Sequence, residues 1–184
     1  MRIPVILVTT ALCLGAGRTA VAQQPSMAAR PDRPVADLSV GYAWLHEQPP
    51  SDAQSENYPA GWVASGAFRI VGHMMAVGEV GGNYRTNAVD ESARLHAFLG
   101  GVRFGIGSWE HARAFVQGLA GMERFTEPGL TQSGFAVQFG GGVDFNLKGP
   151  LGARAQLDYR VADEGGYTFN ETRVSLAAVW AFGR

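Results

Sequence analysis

The chain has one cysteine, Cys13, among 184 residues, and lysine is nearly absent from its strand-like runs. Cys13 lies in a segment read below as cleaved, so the mature protein is expected to hold neither thiols nor disulfides. An extracellular domain of this length would often be stapled by disulfides, so a cysteine-free exported chain fits a bacterial envelope better. A basic excess is also missing. The net charge is −1, and no cluster of Lys and Arg suggests a nucleic-acid partner. Apolar runs are short: the longest, Ile3 to Leu14, cannot span a bilayer as a helix. No stretch sustains a helical period.

What is present begins with that short apolar run. Arg2 precedes it and Ala20-Val21-Ala22 follows it, which is the pattern of a secretory signal peptide over residues 1–22. Leu12 is too bulky for a lipoprotein site at Cys13. Residues 23–36 are proline-rich and aperiodic, and read as a flexible lead. The single remaining domain is expected over residues 37–184.

Within it eight runs alternate with a period of two, the signature of strands. They cover Asp37 to His46, Gly61 to Ile70, His73 to Tyr84, Ala93 to Gly105, Ala112 to Glu123, Gly134 to Leu147, Leu151 to Ala162 and Thr172 to Phe182. Each is long enough for a tilted spanning strand, which needs about 9–11 residues. The second and sixth gaps are tight, Val71-Gly72 and Lys148-Gly149-Pro150, and the fourth is intermediate. The first, third, fifth and seventh are long. An up-and-down chain would therefore gather its long loops at one rim, as outer-membrane barrels do.

Which face of the strands is wet decides the class. One parity carries Phe135, Phe139, Phe145, Leu157, Tyr159, Val174, Leu176 and Trp180; the other carries Gln138, Asp144, Arg154, Gln156, Asp158, Arg160 and Arg173. On earlier strands Arg69, Glu79 and Arg103 oppose apolar neighbours. The fifth run mixes Arg113, Gln117 and Glu123 with Phe115 and Leu119 on one parity, so its facing stays open. Three features put lipid on the apolar side. Gly140, Gly142, Gly152, Ala177 and Ala181 fall on the polar parity, and the interior of an eight-stranded barrel is just wide enough for side chains. Lysine, common on soluble surfaces, is scarce. Aromatic residues near strand ends, Tyr42, Trp44, Trp62, Tyr84, Trp109, Tyr159, Trp180 and Phe182, suit interfacial girdles. The expected fold is all-β, an eight-stranded antiparallel up-and-down transmembrane β-barrel. Its lumen is expected to hold a network of Arg69, Glu79, Arg103, Gln138, Asp144, Arg154, Gln156, Asp158, Arg160 and Arg173, because unpartnered buried ions cost several kcal/mol each.

The pieces "GWVASGAF", "GEVGGNY", "FLGGVRF", "AFVQGLAGME", "GFAVQFGGGVDF" and "ARAQLDYR", with Gly41-Tyr42 before them, resemble in order and spacing the outer-membrane β-barrel family typified by the OmpA transmembrane domain and OmpX. The resemblance implies the bacterial outer membrane as location, membrane lipid as surroundings, and contact with the barrel-insertion machinery through the last strand. That strand alternates Val174, Leu176, Ala178, Trp180 and Phe182, but Gly183-Arg184 follow where the family ends on an aromatic residue. No peptidoglycan-binding domain follows, so wall tethering is not implied.

Chemistry-bearing motifs are weak. A lipid A deacylase barrel would place His and Ser two apart with an acid nearby. None of His46, His73, His96 and His111 has Ser two positions on, and His96 reads as a girdle residue. No spacing matches a metal-ligand set, and Gly105-x-Gly107 lacks the rest of a dinucleotide loop. The expectation is therefore a small, non-enzymatic outer-membrane barrel without cofactor or metal and without a large pore. Its role is structural or surface-interactive, with an extracellular partner not identified. A lipid A-modifying barrel enzyme, a narrow porin-like channel and a soluble lipocalin-like carrier are the alternatives.

Overall fold

The computed structural model describes residues 34–48, 55–86, 92–164 and 166–183. The expected signal peptide, most of the proline-rich lead and part of the first and third loops lie outside them. Nine antiparallel strands follow one another: β1 (Ala36–Gln48), β2 (Glu56–Tyr58), β3 (Ala60–Val71), β4 (Met74–Thr86), β5 (Ser92–Ser108), β6 (Ala112–Glu127), β7 (Leu130–Lys148), β8 (Leu151–Glu164) and β9 (Tyr167–Phe182). Eight of them form an up-and-down barrel. It closes where β1 pairs with β9, from Ala36 opposite Phe182 to Gln48 opposite Asn170.

The extra strand has a local cause. β2 and β3 both pair with the same side of β1, with Tyr58 opposite Leu45 and Trp62 opposite Tyr42. Pro59 lies between them and cannot donate to a ladder. The register slips by one residue there, and the Pro59 carbonyl instead accepts from the Tyr42 hydroxyl. β2 is thus the upper part of the second barrel strand, which the sequence reading placed in a loop.

The long fifth and seventh gaps are corrected in the same way. β6 and β7 run on to Glu127 opposite Leu130, and β8 and β9 to Glu164 opposite Tyr167. Phe125, Thr126, Thr131, Tyr167 and Phe169 are β-formers that keep the ladder going. Gly129, at φ 83°, supplies the left-handed corner that closes the first of these hairpins. At the other rim the connections are Gly72-His73, Trp109 to His111 and Gly149-Pro150. That rim is called the turn end below, and the opposite rim the loop end.

The alternation sorts side chains as lipid-facing barrels do. Leu38, Val40, Phe68, Phe98, Phe135, Phe139, Leu157 and Leu176 are exposed on the outer wall, Phe139 at 63 %. Asp158, Arg160, Arg173 and Gln138 are buried, Arg160 at 2 %. The lumen is not uniformly polar. Val77, Ala97, Leu99, Leu119 and Ala136 make one apolar cluster inside it, and Leu45, Tyr58, Ala93 and Leu95, with Phe125 against them, make another near the loop end. The facing left open for the fifth run is now defined: Phe115, Gln117, Leu119 and Glu123 all point inward and are buried.

Candidate functional site

The buried charges of the lumen form two hydrogen-bonded groups. The first begins at Arg160 on β8, whose Nη1 donates to Glu123 on β6 and, at 3.1 Å, to Glu171 on β9. Its Nε and Nη2 donate to Gln138 Oε1 on β7 at 3.2 and 3.0 Å. Gln138 Nε2 passes the chain to Glu79 Oε1 on β4 at 3.1 Å. Arg173 Nη2 donates to the same Glu79 oxygen at 2.6 Å and to Asp158 Oδ2 at 2.7 Å. Gln156 Nε2 completes the group on Asp158 at 2.9 and 3.0 Å. Because β4 is not a neighbour of β7 or β9 in the ring, this chain crosses the lumen.

The second group sits nearer the turn end. Arg154 grips Asp144 with Nε at 2.6 Å and Nη2 at 3.1 Å, the fork geometry that suits a carboxylate. Its Nη2 also reaches Asp37 Oδ1 at 3.2 Å, and Arg103 Nη1 reaches the same oxygen from β5 at 3.3 Å. Arg103 donates twice more, to Gln117 Oε1 at 3.1 and 3.0 Å. Both guanidiniums lie against the ring of Phe115, at 4.6 and 4.9 Å from its centroid. Cation–π attraction of this kind is strongest where water is excluded.

Close packing makes room for these ions. Gly140 faces inward opposite Asp158, and a Cβ there would stand 2.0 Å from Asp158 Oδ1. A Cβ at Gly142 would meet the Phe115 ring at 2.8 Å. The glycines on the polar parity therefore clear space for carboxylate and ring.

Nine of the ten residues expected in the interior network, Glu79, Arg103, Gln138, Asp144, Arg154, Gln156, Asp158, Arg160 and Arg173, bond to other charged or amide side chains in the two groups. Arg69 stands apart: it is half-buried at the turn end, and its Nη2 donates to the Pro34 carbonyl at 2.8 Å. Five members were not anticipated from sequence. Asp37 shares the parity of Ser39 and opens the first run. Glu171 lies two residues before Arg173, in the gap ahead of the last run. Glu123, Gln117 and Phe115 belong to the strand whose facing was open.

The expected interfacial aromatics all lie on the outer wall. Tyr42, Trp62, Tyr84 and Tyr159 are toward the loop end; Trp62 Nε1 donates to the Tyr84 hydroxyl at 3.1 Å, which lies 3.2 Å from His96 Nε2. Tyr159 donates to Asn170 at 2.9 Å, and Trp44 stacks on His46. Trp180 and Phe182 are at the turn end. Trp109, also expected at an interface, occupies a turn there and is exposed. Above the belt, Tyr58 is fully buried; burial, then the nearby Glu47 carboxyl, pushes its phenol far above the usual value, so it stays neutral. Among the described residues no group of three or more His, Cys, Asp or Glu is placed to hold a metal ion.

An apolar outer wall around an ion-paired lumen defines the class: an eight-stranded transmembrane β-barrel. Solved structures share this fold. Neisserial surface protein A superposes with a TM-score of 0.67 at 8 % identity, over 80 % of this chain and 97 % of that one. Ail, the attachment invasion locus protein of Yersinia pestis, superposes with a TM-score of 0.54 at 15 % identity, over 81 % of this chain and all of that one, 100 %. No protein-family model and no curated protein matches the sequence.

Proposed function

We propose that this protein is an exported, non-enzymatic integral protein of the bacterial outer membrane, with a structural or surface-interaction role and a lumen plugged by its own ion pairs. The turn end then faces the periplasm and the loop end the exterior. One observation carries the reading: Arg173–Glu79 and Arg103–Asp37 reach across the lumen between strands that are not neighbours, at 2.6 and 3.3 Å. Bonds across the bore fill the space that a pore would need. The likeness of the fold to outer-membrane surface proteins supports the location.

The outer wall meets membrane lipid, and the Trp180 and Phe182 end of β9 is the segment that the insertion machinery would read. Surface contacts fall to the loop end, where an extracellular partner would bind. The net charge of −1 gives no reason to propose a nucleic-acid partner. His96 lies on the outer wall beside Tyr84 and Trp62, which fits a girdle better than a catalytic base for lipid A chemistry.

Fractionation of expressing cells and electrophoresis with and without boiling test the location and the barrel. The protein should sediment with outer membranes and migrate faster unboiled. Planar bilayers should show no stable conductance steps, and lipid A from expressing cells should keep its acyl pattern by mass spectrometry. Open-channel steps or altered acyl chains would overturn the plugged, non-enzymatic reading.

A further inference from the structure

Glu123 on β6 and Glu171 on β9 meet inside the lumen, although their strands are not neighbours in the ring. They are 0 % and 1 % exposed, and their carboxyls lie within hydrogen-bonding reach of each other. Each gives its Oε2 to the same nitrogen, Arg160 Nη1. The other two oxygens, Glu123 Oε1 and Glu171 Oε1, are buried and meet no donor among the described residues. Two carboxyls thus share one guanidinium and leave one oxygen each unanswered.

Among the described residues no second cation bonds to the pair. Arg173 is held by Glu79 and Asp158, and Arg85 by Glu56 beside the Tyr58 ring. Arg94 and Arg124 are exposed on the outer wall. Glu47, buried on β1 opposite Glu171 in the ladder, adds a third acid. Val63 of β3, Leu95 and Ala97 of β5, and Ala136 and Gln138 of β7 bring no charge. The segments at this end outside the description are residues 49–54, 87–91 and 165, with the Glu164 side chain. They contain Asp52, Asp90 and Glu91 but no Lys, Arg or His, so they supply no counter-charge.

We infer that Glu123 and Glu171 share one proton through these two oxygens, a brace that ties the β6–β7 hairpin to the β8–β9 hairpin and loosens as pH rises. Adjacent buried carboxylates repel, and a buried acceptor without a donor is costly. One proton relieves both: it removes one of the two negative charges, gives one oxygen a donor and makes the other its acceptor. The proton belongs to the pair rather than to either residue. The unfolded chain holds it only below the ordinary glutamate range, about 4.3. The stabilisation is therefore fully present below that range and is lost as pH rises through the pair's own titration.

The test uses the full barrel in zwitterionic detergent micelles. Infrared difference spectra near neutral pH compare it with Glu123→Gln and with Glu171→Gln. Each variant should lose a protonated-carboxyl band that Glu47→Gln keeps. The midpoint of the unboiled-gel transition is then followed from pH 5 to pH 10. In Glu123→Gln an amide N–H replaces the shared proton, so this variant lacks the pair's titration. Relative to it, the wild-type midpoint should fall with rising pH by about 5 °C or more. The double variant Glu123→Gln with Glu171→Gln leaves Arg160 without a carboxylate and should melt below both single variants at every pH. Should a single variant not fold, the band followed in Glu47→Gln alone decides: it must vanish over the interval in which the midpoint falls. A pair without a protonated-carboxyl band, or a wild-type midpoint that tracks Glu123→Gln at every pH, overturns the shared proton.

Discussion

Replacing Arg154 with alanine removes the hub of the turn-end group. The side chain is 2 % exposed, and its loss leaves Asp144 and Asp37, at 14 % and 4 %, short of a cation. Breaking a buried pair from one side costs about 3–5 kcal/mol, mostly from the charge left behind. Asp37 keeps Arg103 at 3.3 Å and Asp144 is partly hydrated, so the low end, about 3 kcal/mol, is expected. For a domain of this size each kcal/mol moves the melting midpoint by about 2–4 °C, which gives a fall of about 6–12 °C. The assay is the unboiled-gel transition, repeated by tryptophan fluorescence in the same micelles. Arg154→Met keeps apolar bulk against Phe115 and should fall nearly as far, because the stranded carboxylates set the cost. Adding Asp144→Asn to Arg154→Met should recover part of the loss. A fall under about 2 °C in a properly inserted Arg154→Ala barrel would refute the reasoning.

Other substitutions probe other parts of the wall. Leu157→Arg puts a charge on the lipid side and should cost about 2–4 kcal/mol near the bilayer midplane, read by urea titration into vesicles. Gly140→Val drives carbon into Asp158 and should cost about 1–3 kcal/mol of overpacking in the gel transition. Gly78→Ala, on the outer face with nothing within 4 Å of the new carbon, should be near neutral in the same assay. Arg160→Ala strands Glu123 and Glu171 together and should cost about 3–5 kcal/mol, whereas Glu123→Gln, which keeps an acceptor and leaves Arg160 its Glu171 partner, should cost under about 1 kcal/mol by urea titration.

The alternation along β7, β8 and β9 was legible because their faces differ sharply: Phe139 and Leu157 on one side, Gln138 and Arg160 on the other. Polarity alone failed on β6. Its inward face carries Phe115 and Leu119 beside Gln117 and Glu123, since apolar clusters share this lumen with the ions. Only neighbours across the bore decide such a strand, and a sequence does not display them. Strand ends were underestimated for a related reason. Beyond the lipid belt both faces of a hairpin are hydrated, so the alternation fades while the ladder continues to Gly129. Glu171 is buried below those tips, and its spacing of two from Arg173 was the available signal. Pro59 lies in the long polar first gap, yet the ladder resumes at Tyr58 after a one-residue slip.

The orientation of the two faces is the claim on which everything else stands, and spin labels at alternating positions of one strand test it most directly. The only cysteine, Cys13, lies in the segment read as a signal peptide, so single-cysteine variants at Ala155, Gln156, Leu157, Asp158 and Tyr159 can be labelled in vesicles. Labels at 155 and 157 should be accessible to oxygen dissolved in the bilayer and shielded from a water-soluble nickel complex, that at 159, in the interfacial belt, should meet both, and those at 156 and 158 should be immobile and shielded from both. Nickel accessibility at 155 and 157, or oxygen accessibility at 156 and 158, would contradict a barrel with lipid outside and ion pairs within.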